Sequence, residues 1–191
     1  MRTFKDRQAM ALKLKLKKGD LNVRPTLSKV RQAVFNILAG RTGGSVFVDL
    51  YAGTGAIGME AMSRGAKAVY FIEADKKLAG RLRDLLEGCG CRPKARVLSM
   101  KAESFIRKSG LEEGGGLMAD IVFLDPPYAS DELEKVLPML SAPGFLSEDA
   151  VVIAEHSSRL VLPGEAGVLK KKRTYRYGDT SLSLYARADK R

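Results

Sequence analysis

Residues 45–58 read SVFVDLYAGTGAIG. An apolar run through Val46, Phe47 and Val48 ends in Asp49, and Gly53, Gly55 and Gly58 follow with the spacing G-x-G-x-x-G. The pattern predicts a strand over 45–50, a tight turn, and a helix over 55–64. Glycines in such a turn let the backbone bend sharply and approach a ligand, and the helix N-terminus beyond them offers free N–H groups.

On either side of this stretch, strand and helix patterns alternate. Strands are predicted at 68–73 (AVYFIE), 95–100 (ARVLSM), 120–125 (DIVFLD) and 151–156 (VVIAEH). Helices are predicted at 27–38, where Val30, Val34 and Leu38 share a face, at 75–88 with Leu78, Leu82, Leu85 and Leu86 inward, after the strand at 95–100 as a short helix to about Lys108, and at 131–140. Thr26 or Ser28 is placed to cap the first of these. Near the C-terminus, 168–177 and 180–186 flank Gly178–Asp179, a hairpin signal. Alternation of this kind predicts an α/β fold with a mostly parallel, doubly wound sheet of seven strands, closed by an antiparallel C-terminal hairpin. Residues 11–18 (ALKLKLKK) have period two, which predicts a half-buried strand with a basic outer face.

The chain has 191 residues, enough for one domain burying about 70% of its unfolded surface. No apolar run approaches the roughly 20 residues a membrane helix needs, and the N-terminus lacks a secretory pattern, so a cytoplasmic monomer is expected. The net charge of +11 is unevenly spread: residues 1–25 carry +6, residues 159–191 carry +6, and the segment between carries −1. Two basic ends around a neutral middle suggest a polyanionic partner, against the simpler reading of solvated lysines. Cys89 and Cys91 are the only cysteines and His156 the only histidine, too few ligands for a zinc site, so no metal is expected and the thiols read as reduced structural residues.

In a doubly wound sheet, ligands bind beyond the carboxyl ends of the strands. Those ends are Asp49, Glu73, Met100–Lys101, Asp125 and His156. Glu73 follows Gly53 by twenty residues, the place of an acid that accepts from ribose hydroxyls. A dinucleotide would satisfy the same glycines, but Asp49 would repel its pyrophosphate. S-adenosylmethionine carries a sulfonium, an ammonium and a ribose without phosphate, and suits the acid.

The fourth strand ends in IVFLDPPY (121–128). Asp125 and the carbonyl of Pro126 form an acceptor pair able to hold both hydrogens of an exocyclic base amine, leaving its lone pair directed at a methyl donor. Pro126 and Pro127 fix consecutive φ angles and so aim that carbonyl. Tyr128 supplies a face on which a base can stack.

On these residues the chain resembles the class I S-adenosylmethionine methyltransferases with a DPPY-type motif, and more closely the RsmD-type 16S rRNA guanine-N2-methyltransferases of bacteria. The resemblance runs through VRPT and KVRQAVFNIL (23–38), VDLYAGTGAIGMEAMSRGA (48–66), FIEAD (71–75), FLDPPY (123–128), EH (155–156) and RYGDTSLSLY (176–185). It implies methylation of N2 of one guanine of 16S rRNA, position 966 in the usual rRNA numbering, within a small-subunit particle. It further implies that Ala52, Gly53, Thr54 and Gly55 hold the methionine part of the cofactor and Glu73 the ribose; Asp49, Ala74 and Ala102 complete the candidate cofactor-binding residues, Ala102 through packing and backbone. Asp125, Pro126, Pro127 and Tyr128 would hold the flipped target base. Residues 1–25 would form a basic β-hairpin extension, gripping RNA through Lys13, Lys15 and Lys17 with Arg24 and Arg31 nearby, and residues 26–191 the methyltransferase domain. Two departures stand out. Residues 1–11 lack the glycine-containing start usual in the family, and Lys101 occupies a place where an Asp is common, with Glu103 nearby. His156 is open between a contact to the site and a structural hydrogen bond, and KKKR (170–173) reads as a solvated strand edge. An N6-adenine methyltransferase, a non-catalytic RNA-binding assembly factor and a dinucleotide oxidoreductase remain as rivals.

Overall fold

A computed structural model describes residues 25–109, 116–127 and 130–188. The first helix, α1 (Pro25–Leu38), begins at its proline, whose fixed φ and missing N–H suit a helix's first turn. It therefore starts ahead of Thr26 and Ser28. The predicted basic hairpin over 1–25, with Lys13, Lys15, Lys17 and Arg24, lies outside the described residues except for Pro25, which belongs to α1.

The chain then alternates as the sequence predicts: β1 (Val46–Asp49), α2 (Ala56–Ser63), β2 (Ala68–Glu73), α3 (Lys76–Gly88), β3 (Ala95–Ser99), α4 (Ala102–Ser109), β4 (Ala119–Leu124), α5 (Glu132–Met139) and β5 (Leu146–Ser157). A 3-10 turn, Arg92–Lys94, leads into β3. The end of the chain folds as β6 (Glu165–Ala166), β7 (Leu169–Tyr177) and β8 (Thr180–Arg187). The sheet order is β3-β2-β1-β4-β5-β8-β7-β6, with β1 to β5 parallel and the last three strands antiparallel.

The sheet has eight strands where seven were expected. The additional one is the two-residue β6, which pairs only with Leu169 and Lys170. Two residues are too few for a periodic signal. β5 is also longer than predicted, because the polar SED (147–149) extends it toward its start, and its pairing with β4 slips between Ala119 and Ile121. The cysteines correct a further expectation: Cys89 and Cys91 form a disulfide. Gly90 between them adopts φ +67°, which brings their Cα atoms to 5.4 Å.

Both faces of the parallel sheet are covered. One face packs Val48, Ile72, Val122, Leu124 and Val152 against Phe105 of α4 and Leu133, Val136 and Leu137 of α5. The other packs Phe47, Val69, Phe71, Ile121, Phe123 and Ile153 against Val34 and Leu38 of α1, Met59 and Met62 of α2, and Leu82 and Leu86 of α3. Successive strand residues point to opposite faces, so a strand buried on both sides reads as a continuous apolar run. β4 is the clearest case: Ile121, Val122, Phe123 and Leu124 are all at most 2% exposed. Each such side chain contributes about 1.5–3 kcal/mol of hydrophobic stabilisation. β1 has β2 on one side and β4 on the other, so the order reverses there, and the crevice beyond Asp49 and Leu124 is the switch point.

Candidate active site

The loop after β1 is stitched to both neighbouring strands. Leu50 N–H donates to the Phe123 carbonyl (3.0 Å) and Ala52 N–H to the Ile72 carbonyl (2.9 Å), while Gly55 N–H closes the turn onto Ala52 (2.7 Å). Gly53 and Gly55 have φ of +51° and +78°, a conformation costly for other residues. Their surroundings differ. A Cβ on Gly55 would sit 2.5 Å from Leu82 Cδ1, and one on Gly58 would run into the Phe71 ring, so these two glycines let α2 and α3 close on the sheet. A Cβ on Gly53 would meet nothing within 4 Å, which leaves its backbone approachable. Ala52 is buried and Thr54 is exposed.

Glu73, ending β2, spans the loop. Its Oε2 accepts from Gly53 N–H and its Oε1 from Asp75 N–H, both at 2.8 Å. Asp75 in turn caps α3, accepting from Lys77 and Leu78 N–H at 2.7 and 3.0 Å, and these bonds hold its carboxyl below the usual range. Ala74, between the two acids, is exposed. Met100 N–H donates to the Glu73 carbonyl (3.1 Å), which ties the end of β3 to this group. Ala102 then begins α4 and is buried within the core, with Lys101 exposed before it and Glu103 half-buried after it.

The electrostatic centre is Asp49. It is 2% exposed, and its Oδ1 has no hydrogen-bond partner among the described residues. Burial pushes its carboxyl up to about 7; the Asp125 charge raises it further, the backbone N–H groups of Gly58 and Tyr51 pull it back, and Glu73 adds a smaller upward push. Asp125, just past β4, is half-buried, and burial pushes it up to about 6. Pro126 is buried and Pro127 exposed, with the Pro127 carbonyl accepting from Ser130 N–H (3.0 Å) and Ser130 Oγ (2.7 Å). Tyr128 lies outside the described residues.

Three acids from three strand ends thus meet around a glycine loop. A buried carboxylate oxygen without a donor costs about 1–3 kcal/mol or more, because it has left water and gained nothing. A cation carrying N–H groups removes that cost. The ammonium and sulfonium of S-adenosylmethionine fit here, and a pyrophosphate does not.

Two further placements bear on the site. Tyr51, inside the loop, donates its Oη to Glu132 Oε2 (2.8 Å) at the start of α5, and burial followed by the Glu132 bond and charge holds its hydroxyl in the neutral form. Sequence reasoning missed this link between the glycine loop and the segment following Pro127, since the two residues are 81 positions apart. His156 is turned into the sheet. Its Nδ1 donates to the Ser157 carbonyl and its Nε2 accepts from Ser183 Oγ, both at 2.9 Å, and Ser183 Oγ also meets Thr174 Oγ1 at 2.9 Å. Of the two roles left open for it, the structural hydrogen bond is the one observed. Arg31 is half-exposed on α1. Among the described residues, no group of three His, Cys, Asp or Glu side chains is placed to hold a metal, and no helix is long and apolar enough to cross a membrane.

Comparison with known proteins agrees with this geometry. The profile of the family described as Conserved hypothetical protein 95 matches residues 8–186. The chain is 32% identical over 165 residues to ribosomal RNA small subunit methyltransferase D of Escherichia coli, covering 86% of this chain and 80% of that protein. The chain belongs to the RsmD-type methyltransferase family. Its Haemophilus influenzae relative of the same name is also 32% identical, over 85% of this chain and 82% of that one. Among solved structures, the Escherichia coli protein named "Putative methyltransferase yhhF" superposes with a TM-score of 0.73 at 31% identity, covering 83% of this chain and 85% of that chain. The fold is that of the class I methyltransferases.

Proposed function

We propose that this chain transfers the methyl group of S-adenosylmethionine to the exocyclic N2 amine of a guanine in 16S rRNA. The observation that carries the reading is the buried carboxylate of Asp49, one oxygen of which has no donor, set between a glycine loop and Asp125. Family membership and the rRNA methyltransferase names of the relatives support the substrate class.

S-adenosylmethionine supplies a sulfonium methyl group. Asp49 with the backbone of Ala52, Gly53, Thr54 and Gly55 holds the methionine end. Glu73 is already oriented by Gly53 and Asp75, and accepts ribose hydroxyls on its remaining lone pairs beside Ala74. Ala102 offers a small apolar surface for the adenine, and Lys101 contributes no carboxylate there. Asp125 and the Pro126 carbonyl accept the two amine hydrogens, and Tyr128 stacks the flipped base. As nitrogen takes the methyl group the sulfur–methyl bond breaks and S-adenosylhomocysteine is left as a neutral thioether; the Asp125 carboxylate stabilises the charge on nitrogen, and one amine proton then passes to solvent. The basic side chains of Lys13, Lys15, Lys17, Arg24 and Arg31 contribute to gripping the RNA.

The test is methylation of 16S rRNA and its protein-bearing particles with labelled cofactor, followed by nucleoside mass spectrometry. N2-methylguanosine at one site is expected. N6-methyladenosine would overturn the guanine assignment, and absence of product on every RNA would overturn the substrate class.

A further inference from the structure

Strand β7 carries Lys170, Lys171, Lys172, Arg173 and Arg176 and no acid, and the transfer chemistry uses none of them. Three have local partners: Lys171 Nζ donates to the Leu162 carbonyl (2.6 Å), Lys170 Nζ lies 3.9 Å from Glu165, and Arg176 Nε donates to the Gly178 carbonyl (3.3 Å), which leaves the rest of its guanidinium open. Lys172, Arg173 and Arg176 are exposed, and among the described residues none forms an ion pair with a carboxylate. β6 pairs only with Leu169 and Lys170, so beyond them no described strand covers the outer edge of β7. The pairing with β8 slips between Lys171 and Arg173, which makes Lys172 an extra, bulged residue.

Charges and a bulge on an edge strand also serve to prevent pairing with other chains. That purpose accepts either sign and any position along the strand. Here every charge is positive, and aromatic rings are interleaved with the charges. The Arg173 guanidinium lies 5.0 Å over the Tyr175 ring, and Tyr175 and Tyr177 are half-buried against the core shared with α1. The strand also ends at the active-site side of the sheet. Ser158, following β5, bonds the hairpin turn through its N–H to the Asp179 carbonyl and through its Oγ to the Gly178 carbonyl, both at 2.8 Å. β5 in turn pairs Ala154 with Leu124, the residue before Asp125. Three strand spacings separate β7 from β4, about 14 Å.

We propose that the outer edge of β7, through Lys172, Arg173 and Arg176 with the Tyr175 ring, holds the sugar–phosphate backbone of the substrate RNA flanking the target base. The inference rests on the reading of the site as an RNA methyltransferase. Cations neutralise phosphates, and a tyrosine with an arginine over it gives a base a sequence-tolerant stacking surface.

The experiment compares the wild-type full chain with Lys172→Gln/Arg173→Gln/Arg176→Gln. A control, Arg41→Gln/Lys67→Gln/Lys94→Gln, removes the same charge from exposed positions ahead of β1, β2 and β3, at the amino ends of the strands and away from the active-site side. A third variant, Lys172→Arg/Arg173→Lys/Arg176→Lys, keeps the charge. Fluorescence anisotropy on a 16S rRNA fragment from 50 to 200 mM salt gives RNA affinity, and calorimetry gives cofactor affinity. The β7 glutamine variant should bind RNA about tenfold more weakly, and its salt slope should fall by about 2. Its cofactor affinity should be unchanged, and the charge-keeping and control variants should stay within about threefold of wild type. Equal losses in the control, or an unchanged slope in the β7 variant, would overturn the inference while leaving wild-type methylation intact. A loss confined to protein-bearing particles would assign the edge to a protein partner instead. A wild-type chain that binds and methylates no RNA would remove the underlying reading.

Discussion

Asp49 and His156 are both polar, both at the carboxyl ends of central strands, and nearly equally buried at 2% and 3% exposure. Their surroundings are opposite. His156, where the parallel half of the sheet meets the antiparallel half, has both ring nitrogens bonded, and Ser183 and Thr174 continue the network. Asp49, in the parallel half, keeps a buried oxygen without a donor and has two more acids for neighbours. Burial with partners completes a structure, whereas burial without them leaves a free-energy deficit that a cation can relieve. The deficit marks the reactive half of the molecule more clearly than burial or charge alone.

The largest effect that tests this contrast is at Asp125. Asp125→Asn keeps the shape but loses the charge, so methyl transfer should fall about 10²–10⁴-fold while S-adenosylmethionine affinity changes little. A comparable fall in cofactor affinity would merge the roles separated here. Asp49→Asn should act the other way round, weakening the cofactor about 10–100-fold at pH 8 and stabilising the ligand-free fold. The sign follows from its raised carboxyl: the folded state holds a proton that the unfolded state has released, so stability present below about pH 4 is lost as pH rises to about 7. Removing the charge should return about 1–3 kcal/mol at pH 8, read by urea unfolding. His156→Ala should cost about 1–3 kcal/mol in the same unfolding experiment, by leaving Ser183 short of a partner, with methyl transfer within about threefold of wild type. The smallest effect is expected from Tyr51→Phe, about 0.5–1.5 kcal/mol of stability from the lost bond to Glu132.

Much of the parallel half was legible in the sequence because its signals are local. AVYFIE reads as a strand over 68–73, and β2 has those bounds. The sequence set Asp49 and Glu73 at the ends of two strands on either side of the glycine turn, and in the structure the Glu73 carboxylate accepts from Gly53 N–H there. Other features depend on the folded surroundings. The packing roles of Gly55 and Gly58 require Leu82 and Phe71 to be in place. The Tyr51–Glu132 link joins residues with no shared pattern. β6 is too short for periodicity to show, and the Cys89–Cys91 pair runs against an expectation based on ligand counting. His156 stood at a strand end like the acids, and only its hydrogen-bond partners separate it from them.

The most direct measurement is calorimetric S-adenosylmethionine affinity for wild type and Asp49→Asn between pH 5.5 and 7. Wild-type affinity should rise about 15-fold over this range, most steeply at its acid end, as the Asp49 carboxyl, raised to about 7, gives up its proton. Asp125, raised to about 6, and the smaller influence of Glu73 will soften the lower end of that rise. The Asp49→Asn protein should bind weakly and with little pH dependence. A flat wild-type profile, or the same slope in both proteins, would contradict the claim that this buried carboxylate, with one oxygen lacking a donor, receives the cofactor's positive charge.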